Sequence, residues 1–389
     1  MASKAHDRPG LPSRAGSAAA EPAGMDRIAC VPWRSMAAQR DAWDDLARRA
    51  AEPNPFFESW YLLPSLEHLA GTGRVAVLRF EHEGRLAGLL PLVRAGRYYR
   101  WPLPHLSSWL HSNCFCGVPL VAQGAQEPFW QAVLQWADAA AGTALFLHMR
   151  GMVLNGPVCA ALRQVAAGQA RQVEVVQCEQ RAMLASPLSP AAYLEASLSG
   201  RKRKELRRQA ARLAEEGALS FERRHDAADV AAWCEAFLAL EAKGWKGRAG
   251  SALASDAGTA RLFRASLEEA AARGRLERLA LTLDGRPIAM LATFLAAPGA
   301  YSYKTAFDEA YARFSPGVLL QRENLSILES DDIAWSDSCA SADHPMIDHL
   351  WRERRSLGRL SIAIGGRLRR GAFRRLVGAE TARRPATQR

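Results

Sequence analysis

Lysine is scarce in this sequence, six residues against 45 arginines, so each lysine inside a structured segment carries information. Cysteine occurs seven times, at 30, 114, 116, 159, 178, 234 and 339, and never in a paired C-x-x-C spacing. That pattern argues against a zinc site and for a reducing compartment. Cys114-Phe115-Cys116 is too isolated to serve as a metal motif, and no metal is expected. No run reaches the ~18 consecutive apolar residues of a membrane-spanning helix. The first 25 residues lack the apolar stretch of a secretory signal and read as a flexible leader, with Met25 as an alternative start. The expected location is cytoplasmic, with docking at the inner membrane surface as a further expectation.

The 389 residues suffice for two domains, each with its own core. About half are apolar (49%) and 23% are charged, a globular balance. The net charge of +11 is concentrated in two places. Residues 201–212, "RKRKELRRQAAR", hold seven basic residues and one acid, and residues 351–389 hold twelve arginines and two acids. Together these two segments exceed the total, so the remainder is slightly negative. A coat for nucleic acid would be spread more widely, which makes nucleic acid an unexpected partner apart from tRNA.

An internal repeat organises the chain. At an offset of 201, Gly73-Arg74 falls on Gly274-Arg275, Glu83-Gly84 on Asp284-Gly285, and Leu90 on Leu291. Both copies read as strand, tight turn, strand, a β-hairpin signature. The helical patterns at 59–70 and 260–271 line up upstream of them. Two copies of one α/β module follow, with a boundary near 185. The expected division is a leader (1–25), a first module (26–185), a second module (186–362) and a basic tail (363–389). In the second copy, Ser189-Pro190 opens a helix running through the basic segment toward Gly217. A strand at 218–224, helices at 229–243 and 259–272, the hairpin 275–296 and a strand at 300–308 come next, with 244–253 as a glycine-broken loop. A helix at 317–329, a strand at 332–340 and a helix at 345–355 complete it. The fold class is α+β: two tandem modules, each a central, mostly antiparallel sheet flanked by helices.

This order and four segments resemble the GNAT superfamily of acyl-CoA N-acyltransferases, and within it the CelD/BioF-like branch related to the two-module Fem aminoacyltransferases. The segments are "LEAKGWKGRAGSAL" (240–253), "GRPIAM" (285–290), "YKTAFDEAYARFSPGVLL" (303–320) and "DSCASADHPMIDHLW" (337–351). The resemblance covers most of residues 190–360. It implies that the loop between the fourth strand and the next helix binds the coenzyme A pyrophosphate, with acetyl-CoA or another acyl-CoA as co-substrate. The loop here is Arg313-Phe314-Ser315-Pro316-Gly317-Val318, with a single glycine where the family usually has two small residues. Helix-terminal N–H groups and the helix dipole suit an anion there. Gly317 removes a side chain, Ser315 is placed to cap, and Pro316 fits the first helical turn. The repeat supplies a control: the same offset lands on Cys114-Phe115-Cys116, which has no phosphate-type loop. The first module is therefore expected to lack cofactor and to serve as a structural half or as part of an acceptor cleft.

Direct acyl transfer to an amine needs a base, oxyanion stabilisation and a proton for the departing thiolate. The resemblance implies an active centre near Lys304, Asp308, Asp337 and the Ser341–Pro345 segment. His344 is the expected general base, with Asp343 or Asp337 to orient it or share its role. The ordinary alternative for Asp343-His344-Pro345 is a helix cap. Cys339 invites a covalent reading, although a lone cysteine at a strand end is more often buried and inert. Lys304, in a strand, is placed to hold an acceptor carboxylate or a CoA phosphate, or to pair with Asp308. Trp245 and Lys246 lie in a loop suited to close over a ligand, and Glu241 is a second contact for the acceptor amine. The basic helix has a narrow seam of Leu206, Ala210 and Leu213, and reads as a solvated face or an anion site. The tail at 365–378 reads as a loosely held basic extension, or as a segment that lies on an anionic membrane. The expected function is an acyl-CoA-dependent N-acyltransferase acting on a sugar, lipid or envelope-precursor amine. The rivals are a Fem-like aminoacyl-tRNA-dependent transferase and a degenerate GNAT-fold protein that docks on membranes.

Overall fold

The structure, a computed structural model, describes residues 26–71, 75–342, 344 and 346–382. Asp343 and Pro345 therefore lie outside the described residues, as do the leader and Gly73-Arg74. The first half supplies strands β1 (Arg27–Pro32), β2 (Ala76–His82), β3 (Arg85–Ala95), β4 (His105–Ser108), β5 (Leu120–Val121), β6 (Phe146–Val153) and β7 (Val173–Leu184). The second half supplies β8 (Leu219–Arg224), β9 (Leu276–Leu283), β10 (Arg286–Ala296), β11 (Gly299–Phe307), β12 (Trp335–Asp337) and β13 (Glu353–Ala363). They join into one sheet in the order β1-β2-β3-β4-β6-β13-β7-β12-β11-β10-β9-β8, with β5 on β3. Among the described strands only β4–β6 and β11–β12 pair in parallel.

The repeat appears in the backbone. The β2–β3 and β9–β10 hairpins turn through Glu83-Gly84 (φ 52° and 74°) and Asp284-Gly285 (φ 49° and 73°). Two successive left-handed residues make the turn that matches the strand twist, and Glu/Asp-Gly tolerates it. The paired helices, Ser59–Leu69 and Ala257–Ala272, pack against one another at the centre. A side chain on Gly258 would stand 2.7 Å from the His68 carbonyl oxygen, so the close approach depends on that glycine. Trp60, Phe56, Phe263, Phe294 and Tyr303 are buried in one core shared by both halves.

Four elements differ from the sequence expectation. The helix from Pro190 ends at Ser197 and a new one runs Gly200–Ala214, because Leu198 is extended and Ser199 caps the second helix at Lys202 N–H (3.3 Å). Residues Trp245–Arg248 form a helical turn within the expected loop. No helix forms among the described residues of the expected 345–355 segment: residues 346–350 are a turn, and the Arg-rich stretch from Glu353 onward becomes β13. β13 lies between β6 and β7 and pairs with both, so neighbours on each side override local helix propensity. A strand late in the chain thereby completes the sheet of the first half. Residues Arg367–Ala382 of the tail form a helix that buries Phe373 and Val377 against Tyr98 and Phe146, so the tail is docked through this length.

Candidate functional site

A cleft of about 290 Å³ opens where β11 and the chain after β12 diverge. Of the residues singled out in sequence, it gathers Lys304, His344, Glu241, Trp245 and Lys246. The parallel β11–β12 pairing covers only Gly299–Tyr301 with Trp335–Asp337; beyond it the strands part, and Tyr303 to Phe307 line one wall.

Lys304 is the central cation. Its ammonium donates to Asn113 Oδ1 at 2.7 Å and lies over the Phe115 ring at 5.0 Å and the Tyr303 ring at 5.6 Å. Among the described residues it forms no ion pair, with Asp308 or otherwise. Burial and then the neighbouring Lys246 charge lower it to about 8, against the opposing pull of Glu241. The Lys246 ammonium donates to Glu241 Oε1 at 2.7 Å, and Glu241 Oε2 accepts from Leu253 N–H at 2.7 Å, which fixes the loop after the 230–243 helix. Trp245, 57% exposed, stands at the rim, and its N–H donates to Glu309 Oε1 at 2.6 Å.

His344 is half-buried, and its Nδ1 has no hydrogen-bond partner among the described residues. Desolvation and Lys246 hold the imidazole below its ordinary value, against Asp348, so it is neutral at pH 7. Cys339 lines the same cleft with its thiol pushed well up by burial and by Asp337, and it stands protonated. A protonated buried thiol is a poor nucleophile, in line with the inert reading.

Two of the expected catalytic acids are not brought to the cleft. Asp337 is fully buried at the β7–β12–β13 junction, 3.2 Å from Arg355 Nη1 and 3.5 Å from Arg181 Nη1, and it accepts from Cys339 N–H at 2.8 Å. It holds the two halves of the sheet together. Asp308 caps the turn at 309–314 through Ala310 N–H (2.9 Å), and its neighbour Glu309 reaches the cleft instead.

The 313–318 loop borders a second groove of about 220 Å³, lined by Ser315 and Val318 together with Lys202 and Gln209 of the basic helix and with His349. The helix Pro316–Asn324 begins as expected with Pro316, but no side chain caps it. Ser315 is left-handed (φ 53°), and its carbonyl accepts from Val318 and Leu319 N–H. Arg313 is exposed and paired with Glu216 at 2.7 Å, while Phe314 and Pro316 are buried. Gly317 is also buried, and a side chain there would meet Met346 Sδ at 2.7 Å and Phe307 at 3.3 Å. Met346 borders both cavities and separates them. Lys202 and the carboxylate of Glu205 both line this groove, Gly317 N–H stands at the helix start, and the flexible thioether of Met346 is the group that would turn aside for a ligand there.

Sequence reasoning missed Asn113 and Phe115 as cleft residues. They flank and occupy the stretch that the repeat places opposite Ser315-Pro316-Gly317. The signal available was positional: a stretch that lost the loop but stayed at the same end of the fold.

Residues 200–344 match the family model of the acetyltransferase (GNAT) domain. A comparison with curated protein sequences finds no match. Among solved structures, the chain is similar to FemX, with a TM-score of 0.53 and 11% identity over 83% of this chain and 95% of that one. It is similar to the same degree (TM-score 0.53, 11% identity) to a conserved protein of unknown function from Bacteroides thetaiotaomicron, over 84% of this chain and 97% of that one. At such identity these likenesses define the fold. Residues 200–344 thus match a GNAT acetyltransferase domain, and the chain as a whole has a fold similar to that of FemX.

Proposed function

We propose that the protein transfers an acyl group from an acyl-CoA thioester, acetyl-CoA being the simplest donor, to the amine of a small acceptor. The observation that carries this reading is the overlap of the acetyltransferase match at 200–344 with the Lys304–His344 cleft and the adjoining groove. Lys202 and the Gly317 N–H at the start of the 316–324 helix would hold the donor's phosphates. The thioester supplies the activated acyl carbon. The neutral imidazole of His344, which lines the cleft, takes the proton of the attacking amine. The Lys304 ammonium, near pH 8, matches a thiol and gives its proton to the departing sulfur. Asn113 and Phe115 orient that ammonium from the first module.

A Fem-like transfer from aminoacyl-tRNA draws on the same geometry, since the basic helix Gly200–Ala214 borders the phosphate groove. Native mass spectrometry with a panel of acyl-CoAs and with aminoacyl-tRNA separates the two. One CoA ester bound per chain, lost in Lys202→Gln, is the expected result. Salt-sensitive tRNA binding without CoA binding overturns it. No helix among the described residues is long and apolar enough to cross a membrane. Exposed Leu368, Tyr99 and Trp101 beside the arginines of the 367–382 helix nonetheless suit peripheral contact with an anionic lipid surface from the cytoplasmic side.

A further inference from the structure

A third, smaller pocket of about 140 Å³ adjoins the Lys304 cleft, since Phe115 lines both. Its walls come from β6, β7 and β13 and from the loop after β4, so it sits against the first module's parallel strand pair. Three guanidinium groups face it, those of Arg150, Arg181 and Arg359, with Glu179 as the one carboxylate.

Their charges are not balanced. Arg181 is buried and already neutralised by Glu179 (2.9 Å) and Asp337 (3.5 Å); its Nη1 donates to the Phe115 carbonyl at 2.6 Å, and its buried Nε has no partner. Arg150 and Arg359 form no ion pair among the described residues. Arg150 donates only to the Leu110 carbonyl (3.2 Å) and Arg359 to the Tyr99 hydroxyl (3.1 Å). Burial, and then the Arg359 charge itself, hold Arg150 below its ordinary value, so the two cations stand close enough to repel. His111, on the same wall, is pushed down to about 3 by burial and by Lys304, and adds no charge. Two partly desolvated guanidinium groups without a counter-charge are unfavourable unless an anion enters, and their planar forks match a carboxylate or a phosphate.

We infer that the Arg150–Arg359 pocket binds an oxyanion of the acceptor, a carboxylate or a phosphate, so that the substrate is an anionic amine. Its amine lies in the Lys304–His344 cleft and its anion among the arginines of the adjoining pocket, with Phe115 lining both. This rests on the acyl-transfer reading for the amine, while the anion site stands on its own geometry.

The test titrates inorganic phosphate, and separately acetate, into the full-length chain by calorimetry. Gly317→Asp serves as the background, so that phosphate at the 316–324 helix does not contribute. One saturable site is expected, weakened at least tenfold by Arg359→Gln and by Arg150→Lys, which keeps a cation but loses the fork. Arg359→Gln removes only a contact to a surface hydroxyl, so its folding is secure, and circular dichroism checks both variants. Binding of phosphate alone assigns a phosphorylated amine, and binding of acetate assigns an amino acid-like acceptor. No saturable site, or an affinity unchanged in both variants, overturns the inference. If the wild-type chain binds the anion but no acyl-CoA, the acyl-transfer reading fails and the oxyanion site survives.

Discussion

Replacing Lys304 by Met tests the catalytic assignment most directly. The ammonium has one hydrogen-bond partner, Asn113 Oδ1, and two aromatic faces, so a methionine of similar length keeps the packing and removes only the proton. With a value of about 8, Lys304 is roughly 90% protonated at pH 7 and about 10% at pH 9. The wild-type kcat should therefore fall above pH 8, on a limb set by this group. A positioned acid contributes about 10²–10⁴ in rate, so Lys304→Met should lose that much at pH 7 while acyl-CoA affinity changes little. Its high-pH limb should disappear. Lys246→Met supplies a second reading: it removes the cation that depresses Lys304 and frees the Glu241 carboxylate. Both changes favour the ammonium, so the limb should move to higher pH. The assay is steady-state acyl transfer at saturating donor and acceptor from pH 6 to 10. A limb that survives unchanged in Lys304→Met refutes the proton-donor role. The depressed value also has a sign for stability. The folded chain releases this proton before the unfolded one, so the penalty is present below about pH 8 and is relieved as pH rises from there toward 10.5.

His344→Gln should flatten the low-pH side of the same profile, and an unchanged acidic limb would remove the base. Gly317→Asp should abolish acyl-CoA binding by calorimetry while the chain stays folded, because the new carboxylate displaces a flexible Met346 side chain and opposes the phosphates; unchanged affinity would sink the phosphate assignment. Asp337→Asn should leave Arg181 and Arg355 buried without their shared carboxylate, at a cost of about 3–5 kcal/mol in urea unfolding, and a loss below about 1 kcal/mol would show that the junction tolerates it. Replacing the exposed Arg374 and Arg375 by Glu should abolish flotation with anionic vesicles; wild-type protein that stays unbound rules out the membrane contact.

The hairpins were legible because their information is local. Glu/Asp-Gly between two apolar runs encodes a two-residue turn, and the same turn appears twice at an offset of 201. Lys304, His344, Glu241, Trp245 and Lys246 were legible as residue types out of place, a lysine in a strand or a histidine between an acid and a proline. Asp337 failed for the opposite reason. An acid at a strand end looks the same in sequence whether it faces solvent, a substrate or two arginines. Its partners lie 156 and 18 residues away, on strands whose adjacency no local pattern announces. β13 hid in the same way, since an Arg-rich stretch reads as helix until two strands stand ready to pair with it.

That strand also explains why the first module matters to chemistry placed in the second. β13 carries Arg355 to Asp337 on one side of the junction and Arg359 to the anion pocket on the other. β7 contributes Arg181, whose guanidinium grips the Phe115 carbonyl. Phe115 then lines both cavities and supports Lys304. A module without a phosphate loop is thus tied into the cleft by its backbone pairing. The arginines of the pocket in the first half favour the part of the substrate that the thioester does not supply.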